Sequence, residues 1–268
     1  MLSHVTVAYM EPSTSPLDRF NTFYSTHYLQ RWPALRAALL APSTPVALAE
    51  GLEKTYYLDE GSIIATKMLP IQAEDTVLDM CAAPGGKSLI LATALNGSGS
   101  LVCNDRSSQR RQRLRRVIEE HLSKELQAPI TFTSHDATRW GLYEQSLYDA
   151  ILLDAPCSSE RHVLQDPKFL AQWSPSRTKR LAIQQFAMLA AALEAVKPQG
   201  YVLYSTCSIS PLENEEVIAK LEKKRKGRYE EIKLESPYAE ARSYGNIILP
   251  DTGQGRGPLY FCLLRRTV

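Results

Sequence analysis

Asp79-Met80-Cys81-Ala82-Ala83-Pro84-Gly85-Gly86-Lys87 follows the apolar run Thr76-Val77-Leu78 and leads into Ser88-Leu89-Ile90-Leu91. An acid closing a short buried strand, then a glycine pair, then a helix is the pattern of a ligand-binding turn. Glycine lets the backbone approach a ligand closely, and a helix start presents unpaired N–H groups. Two familiar loops of this kind are disfavoured. A dinucleotide fingerprint needs G-x-G-x-x-G, which is absent. A phosphate loop needs G-x-x-x-x-G-K-[ST]. Gly86-Lys87-Ser88 supplies its end, but Cys81 stands at the first glycine position and Pro84 removes an N–H from the cradle. The remaining candidate is a nucleoside cofactor with a smaller, zwitterionic tail.

Outward from this loop, short apolar runs alternate with helical segments. Strands are expected at 76–80, 101–103, 130–133, 150–153, 201–204, 231–234 and 259–264. Helices are expected from Lys87 to Leu95, from Ser107 or Ser108 to about Leu122, from Thr178 to Val196 and from Glu213 to Lys226. A longer loop is expected from Ala155 to Pro175. Strands separated by helices imply right-handed crossovers and a parallel sheet, whose ligands bind at the carboxyl ends of the strands. Asp79, Asp105, Asp136, Asp154 and Cys207 fall at or just past predicted strand ends and are expected along one sheet edge. Asp105 is placed to accept hydrogen bonds from two ribose hydroxyls and Asp136 one from an adenine amino group. Either acid alone is better read as a helix cap; the two together, after a Gly-Gly loop, favour S-adenosyl-L-methionine.

The fold class expected is therefore α/β: a Rossmann-like fold with a mostly parallel seven-stranded sheet, plus a small helical N-terminal extension; the resemblance given below implies that it is the S-adenosylmethionine-dependent methyltransferase fold. The boundary is drawn at residues 1–70 for the extension, which that resemblance makes a candidate RNA contact, and 71–268 for the domain that it makes catalytic. Within the extension, residues 1–15 read as a loose start. Leu17 to Leu40 has helical spacing interrupted by Pro33, giving two helices or a kinked one. Asp59-Glu60 begins a short helix that ends before Pro70.

Bulk properties narrow the class. A chain of 268 residues, 44% hydrophobic and 22% charged, has the composition of a globular protein with a full core. No apolar run approaches the 18 or so residues of a membrane span, and no membrane partner is expected. The start has no basic-then-apolar signal pattern. It carries Glu11 and Asp18 with no Arg before Arg19, so a cytoplasmic location is expected, with a processed mitochondrial form as the alternative. Five cysteines, an odd number, read as free thiols, and no short-spaced pair offers a metal site. Net charge is only +2, but Arg106, Arg110, Arg111, Arg113, Arg115 and Arg116 form one basic cluster and Lys223, Lys224, Arg225, Lys226 and Arg228 another. Each reads equally as a solvated helix face or as a phosphate-binding surface.

Together with the cofactor loop, Asp154-Ala155-Pro156-Cys157 and Ser205-Thr206-Cys207-Ser208 resemble the motifs of the Sun-domain (NSUN) RNA cytosine-5 methyltransferases. The resemblance extends over Tyr57-Leu58-Asp59-Glu60-Gly61-Ser62, Asn104-Asp105 with Arg110, and Gly257-Pro258-Leu259-Tyr260-Phe261. Phe20-Asn21-Thr22-Phe23-Tyr24, Arg31-Trp32-Pro33-Ala34-Leu35-Arg36 and Glu160-Arg161-His162 are similar to the short members related to the mitochondrial enzymes.

That likeness implies formation of 5-methylcytosine in rRNA or tRNA, with S-adenosyl-L-methionine as cofactor. Cytosine C5 is a poor nucleophile until a thiolate adds at C6. By resemblance Cys207 is that thiolate, Asp154 holds the base at N3 or its amino group, and Cys157 serves the release step. The cofactor set is Cys81, Ala82, Ala83, Pro84, Gly85, Gly86, Lys87, Asp105, Arg110, Asp136 and Asp154. Lys87 serves the cofactor carboxylate or the base, and Arg110 reaches the cofactor or the RNA. Arg161 and His162 are candidates for the flipped nucleotide, and Trp32 and Trp173 for base stacking or, equally, core packing. Cys103 and Cys262 are expected in the core, and Cys81 as a packing residue. RNA is the expected partner of a monomer, with selectivity supplied by a targeting protein or by the RNA's own shape. A non-catalytic RNA-binding subunit of the same fold and an NAD-dependent dehydrogenase are the competing readings.

Overall fold

The computed structural model describes residues 15–268, so the expected loose start at residues 1–15 lies almost wholly outside them. The N-terminal part begins with α1 (Pro16–Tyr28), whose start is fixed by Ser15 and Asp18 in a reciprocal capping box. A 3-10 turn over Leu29–Arg31 leads into α2 (Trp32–Leu40). Pro33 falls in the first turn of α2, where a missing N–H costs nothing, so the interruption read from sequence is a helix boundary rather than a kink. Two short strands, β1 (Val46–Leu48) and β2 (Tyr56–Leu58), pair antiparallel, and α3 (Glu60–Lys67) starts at an Asp59 cap.

From there strand and helix alternate: β3 (Thr76–Asp79), α4 (Gly86–Leu95), β4 (Ser100–Asn104), α5 (Ser108–His121), α6 (Lys124–Gln127), β5 (Ile130–Thr133) and β6 (Tyr148–Asp154). The segment expected as a loop from Ala155 to Pro175 instead contains α7 (Glu160–Gln165) and α8 (Pro167–Gln172). Asp166 ends the first and caps the second, and each is too short to show a helical period. Then follow α9 (Pro175–Ala195), β7 (Val196–Thr206), α10 (Glu215–Arg225), β8 (Tyr229–Ile232), β9 (Glu240–Ala241), β10 (Asn246–Ile248) and β11 (Leu259–Arg266).

All seven strands expected from the sequence are in one sheet, joined by the short β9 and β10 to make nine. The order is β5-β4-β3-β6-β7-β11-β10-β9, with β8 on β11; β5 to β7 pair in parallel, and β11 runs antiparallel to β7. The chain moves outward one way through β3, β4 and β5 and the other way through β6 and β7. The gap between β3 and β6 is thus a topological switch point, where such sheets bind ligands.

Each central strand alternates its side chains between two cores. Leu78, Ile151, Leu153, Val202 and Tyr204 face one side, with α1, α2, α9 and α10 contributing Phe20, Leu35, Leu189 and Ile218. Val77, Leu101, Ala150, Leu152 and Leu203 face the other, with Leu89 of α4 and Leu114 of α5. The N-terminal helices are held by rings: Phe20 lies 4.7 Å from Trp173 and 4.6 Å from Tyr24, and Tyr24 stacks on Trp32 at 5.5 Å. Both tryptophans are buried, so neither is available to stack on a nucleobase. Cys103 and Cys262 are buried within their strands. No helix among the described residues is long and apolar enough to cross a membrane.

Candidate active site

The parallel register sets Asp79 beside Leu152 and Cys103, and Asp154 beside Ser205. The strand-end acids and the loops after them therefore lie along one edge, as the alternation of elements predicts.

A cavity of about 390 Å³ beyond β3 and β4 is lined by Cys81, Asp105, Arg110, Asp136, Ile183 and Met188, among others. The Asp105 Oδ1 accepts the Ser107 N–H at 2.9 Å, and its Oδ2 faces Arg110 Nε at 3.3 Å. Arg110 also donates to the Ala83 carbonyl at 2.6 Å, tying α5 to the glycine loop. The Asp136 Oδ1 accepts from the Thr138 hydroxyl at 2.7 Å and from its N–H at 3.0 Å. The Thr138 hydroxyl above all holds the Asp136 carboxyl below the ordinary range, against a smaller burial penalty. Both acids bond to the turns that follow them and also line the cavity, so capping a turn does not take either away from the cavity.

A narrower cleft of about 70 Å³ adjoins it, with Cys81 on both walls. Asp79, Ala82, Ala83, Pro84, Gly86, Lys87 and Asp154 complete its lining. Gly85 is not in that lining; it turns the chain at φ 119°, a conformation that favours glycine. A methyl group on Gly86 would meet Tyr56 at 2.7 Å, so the second glycine is needed for packing against β2. Lys87 Nζ lies 2.5 Å from Asp154 Oδ2, and Ser205 donates to Asp154 Oδ1 at 2.9 Å. Burial pulls the Lys87 ammonium down, but the Asp154 carboxylate outweighs it and holds its pKa above the ordinary value. Burial pushes Asp79 up to about 7, despite the Ser88 hydroxyl donating to its Oδ2 at 2.7 Å. Its other oxygen, Oδ1, is buried with no hydrogen-bond partner. An unfilled acceptor in the wall of this cleft fits the ammonium of an amino-acid tail. The larger cavity beside it has acids suited to ribose and adenine. The residues present therefore fit S-adenosylmethionine, and Asp79 joins the set read from the sequence. Its position at the strand end was the available signal.

The two thiols meet at the next strand ends. Cys157 Sγ lies 3.0 Å from Cys207 Sγ, both unoxidised, and Ser159 Oγ lies 3.1 Å from Cys207 and 3.5 Å from Cys157. Hydrogen bonding from Cys157, then from Ser159, lowers the Cys207 thiol against the opposing effect of burial. The same contact, with burial, drives Cys157 well above the ordinary thiol range. Of the two, Cys207 is the thiol shifted toward its thiolate form and Cys157 the one shifted away from it. Cys207 opens on a third cavity, about 290 Å³, lined also by Asp59, Ser62, Ser159, His162 and Gln165. Arg161 borders this cavity, but its guanidinium donates to the carbonyls of Gly257, of Ala38 at 3.2 Å and of Gly255 at 3.4 Å. It braces the wall rather than offering itself to a nucleotide. His162 packs against Phe169 at 4.3 Å and lines the cavity.

Beneath the thiols lies a pair of fully buried acids that the sequence reading did not single out. Glu213 accepts the Ser158 N–H at 3.0 Å, the Ser158 hydroxyl, and Gln185 Nε2 at 2.8 Å. Glu160 accepts the Ile209 N–H at 3.0 Å and the Tyr24 hydroxyl. The Ser208 hydroxyl sits between them, 3.0 Å from Glu160 and 3.2 Å from Glu213. Ser158 follows Cys157 and Ser208 follows Cys207, so the two carboxyls tie both thiol loops to one point. Burial, then the Glu160 charge, raises Glu213 to about 7, and burial also raises Glu160.

The basic clusters divide. Arg110 and Arg111 are committed to the loop and to the carbonyls of Asp105 and Arg106, and Arg115 covers the Phe132 ring at 4.2 Å. Arg225 and Arg228 pair with Glu194, while Arg113, Arg116, Lys223, Lys224 and Lys226 are exposed.

Residues 66–265 match the profile of the family described as 16S rRNA methyltransferase RsmB/F. The 5-cytosine rRNA methyltransferase NSUN4 of Bos taurus is 33% identical over 233 residues, covering 81% of this chain and 60% of that one. The mitochondrial tRNA (cytosine(34)-C(5))-methyltransferase of Danio rerio is 34% identical over 229 residues, covering 80% and 61%. The chain thus spans about three fifths of the length of these relatives. Among solved structures, NSun6 from Pyrococcus horikoshii, determined with the S-adenosylmethionine analogue SFG, shares the fold with a TM-score of 0.67, at 24% identity and covering 85% of this chain and 57% of that one.

Proposed function

The chain belongs to the 16S rRNA methyltransferase RsmB/F family, and we propose that it methylates C5 of a cytosine in RNA through a covalent Cys207–C6 adduct. The observation that carries the reading is the thiol pair 3.0 Å apart, with the Cys207 thiol lowered by its neighbours, at the edge of a cavity next to the glycine-loop cleft. S-adenosylmethionine supplies an electrophilic methyl group when bound, and Asp79, Lys87, Asp105 and Asp136 would hold it. The target cytosine, unstacked from its neighbours, enters the cavity at Cys207. The Cys207 thiolate gives its electron pair to C6, the C5–C6 π pair becomes available at C5, and C5 becomes the nucleophile. Asp154, anchored by Lys87 and Ser205, is the acceptor for the base's amino group. Once C5 carries the methyl group, its proton passes to a solvent base, the C–H pair restores the C5–C6 double bond, and the C6–S pair returns to Cys207. Cys157, alongside that sulfur, serves this release.

The substrate is RNA of the ribosomal or transfer class, as in the two relatives. The Danio rerio enzyme is mitochondrial by name, which supports the mitochondrial alternative over a cytoplasmic location. Exposed Arg113 and Arg116 on α5 and the lysines ending α10 supply candidate phosphate contacts.

The test is Cys157→Ala incubated with cellular RNA and S-adenosylmethionine. A stable RNA–protein band on a denaturing gel, absent when Cys207 is also replaced, is the expected result. Normal turnover with no shifted band overturns the assignment of the release step. Failure of the wild-type chain to raise its melting temperature with S-adenosylmethionine overturns the reading as a whole, in favour of a binding subunit.

A further inference from the structure

Ser159 occupies an unusual place for its type. It stands at the N-cap of α7, where a serine side chain ordinarily accepts a backbone N–H of the first turn, yet its hydroxyl makes no capping bond. Its backbone lies at φ 54° and ψ 58°, in the left-handed region that favours glycine, although it carries a Cβ. The side chain is therefore not there to start the helix, and the backbone would be eased without it. What the hydroxyl does contact is the two sulfurs, at 3.1 and 3.5 Å.

A thiolate that burial disfavours needs donors to hold its charge. Cys207 faces one charge of each sign, Lys87 and Asp154, whose effects on it oppose each other. That leaves the Cys157 thiol and the Ser159 hydroxyl as its short-range donors. Cys157 is also the group assigned to release, so its proton is not constantly available to Cys207. Ser159 has no other chemistry in the site.

We propose that the Ser159 hydroxyl is the standing hydrogen-bond donor to the Cys207 sulfur, holding it as thiolate before it attacks and accepting its return as a thiolate when it leaves. The second half rests on the methyltransferase reading above. Between those moments the sulfur pair is shared with C6 and the charge is gone from it; the hydroxyl then has Cys157 within reach. The donor thus acts at both moments: it increases the fraction of attacking thiolate, and it makes the sulfur a better leaving group when the C6–S pair returns to it.

The full-length chain, without RNA or cofactor, is alkylated with iodoacetamide across a pH series, and modification of Cys207 is followed by mass spectrometry. Ser159→Gly suits the backbone and removes only the hydroxyl; Ser159→Ala removes it while keeping the Cβ. Both are expected to move the Cys207 midpoint upward by about one pH unit, which is about tenfold less thiolate below the midpoint. Melting temperature should be unchanged or higher for Ser159→Gly. In single turnover, both variants should also release product more slowly than wild type. An unmoved midpoint in both variants overturns the proposal, whether or not melting falls. Because the alkylation uses neither RNA nor methyl donor, its outcome is separate from success or failure of the methyltransferase assay.

Discussion

Asp79 and Glu213 are both buried acids whose pKa burial raises to about 7, and they sit on the same sheet edge. Their surroundings differ. Glu213 accepts from Ser158 twice, from Gln185 and from Ser208, so the protein itself satisfies it. Asp79 has Ser88 on one oxygen and nothing on the other. The raised pKa alone does not separate scaffold from ligand site; the unfilled oxygen does. Glu213 is part of the joint that fixes two loops. Asp79 keeps an oxygen with no hydrogen-bond partner among the described residues, which is what makes it the proposed acceptor for a ligand.

The sharpest way to break this comparison is Glu213→Ala. It strands the donors of Ser158, Gln185 and Ser208 in the interior and is expected to cost about 3–5 kcal/mol, measured by urea unfolding. Glu213→Gln, which keeps the shape and one acceptor, should cost less than half of that. A loss under about 1 kcal/mol for the alanine variant would mean that Glu213 is not a structural joint. Asp79→Asn should behave in the opposite way. Its unfolding midpoint at pH 8 should be no lower than that of wild type, while S-adenosylmethionine affinity, by calorimetry, drops roughly 10- to 100-fold. Equal affinity would show that the open oxygen of Asp79 is not where the tail ammonium binds.

The last test reads a slope against pH. Asp79 and Glu213 have ordinary values of 3.8 and 4.5 and folded values of about 7. Between those limits the native state holds more protons than the unfolded state, so stability falls as pH rises from about 4 to 7 and levels off above. Below the ordinary values both states are protonated and the effect vanishes. In wild type without cofactor, the urea midpoint at pH 5 should exceed that at pH 8. Asp79→Asn and Glu213→Gln should each flatten part of the difference. A midpoint that rises with pH, or one indifferent to both substitutions, would show that these acids are ionised in the fold at neutral pH.

How far the sequence is readable follows the same division. The strands and the cofactor loop were legible because short apolar runs alternate with helical segments, and because a parallel sheet forces its strand ends to one edge. That logic placed Asp105, Asp136, Asp154 and the thiol pair before any distance was known. The short elements were not legible: β9 and β10 have two and three residues, and α7 and α8 six each, less than two turns of helical period. Glu213 was hidden differently. It stands next to Glu215 and Glu216 in a sequence that reads as the acidic first turn of a helix, and only the tertiary structure turns it inward beneath Ser158. Glu160 was hidden in what reads as a loop, because α7 is too short to show a helical period. Trp32 and Trp173 were ambiguous between stacking and packing until their contacts with Phe20 and Tyr24 put them in the core.

One bond has a consequence for how this architecture can be recombined. The Tyr24 hydroxyl of α1 donates to Glu160, whose other oxygen holds the backbone N–H of Ile209, two residues beyond Cys207. The Tyr28 hydroxyl donates to the Ile209 carbonyl at 2.7 Å, on the same residue. The first helix is therefore not an exchangeable module attached to a finished catalyst. A chimera that grafts a foreign leader onto the Rossmann core must bring two correctly spaced tyrosines, or it inherits a nucleophile loop with its underside unpinned.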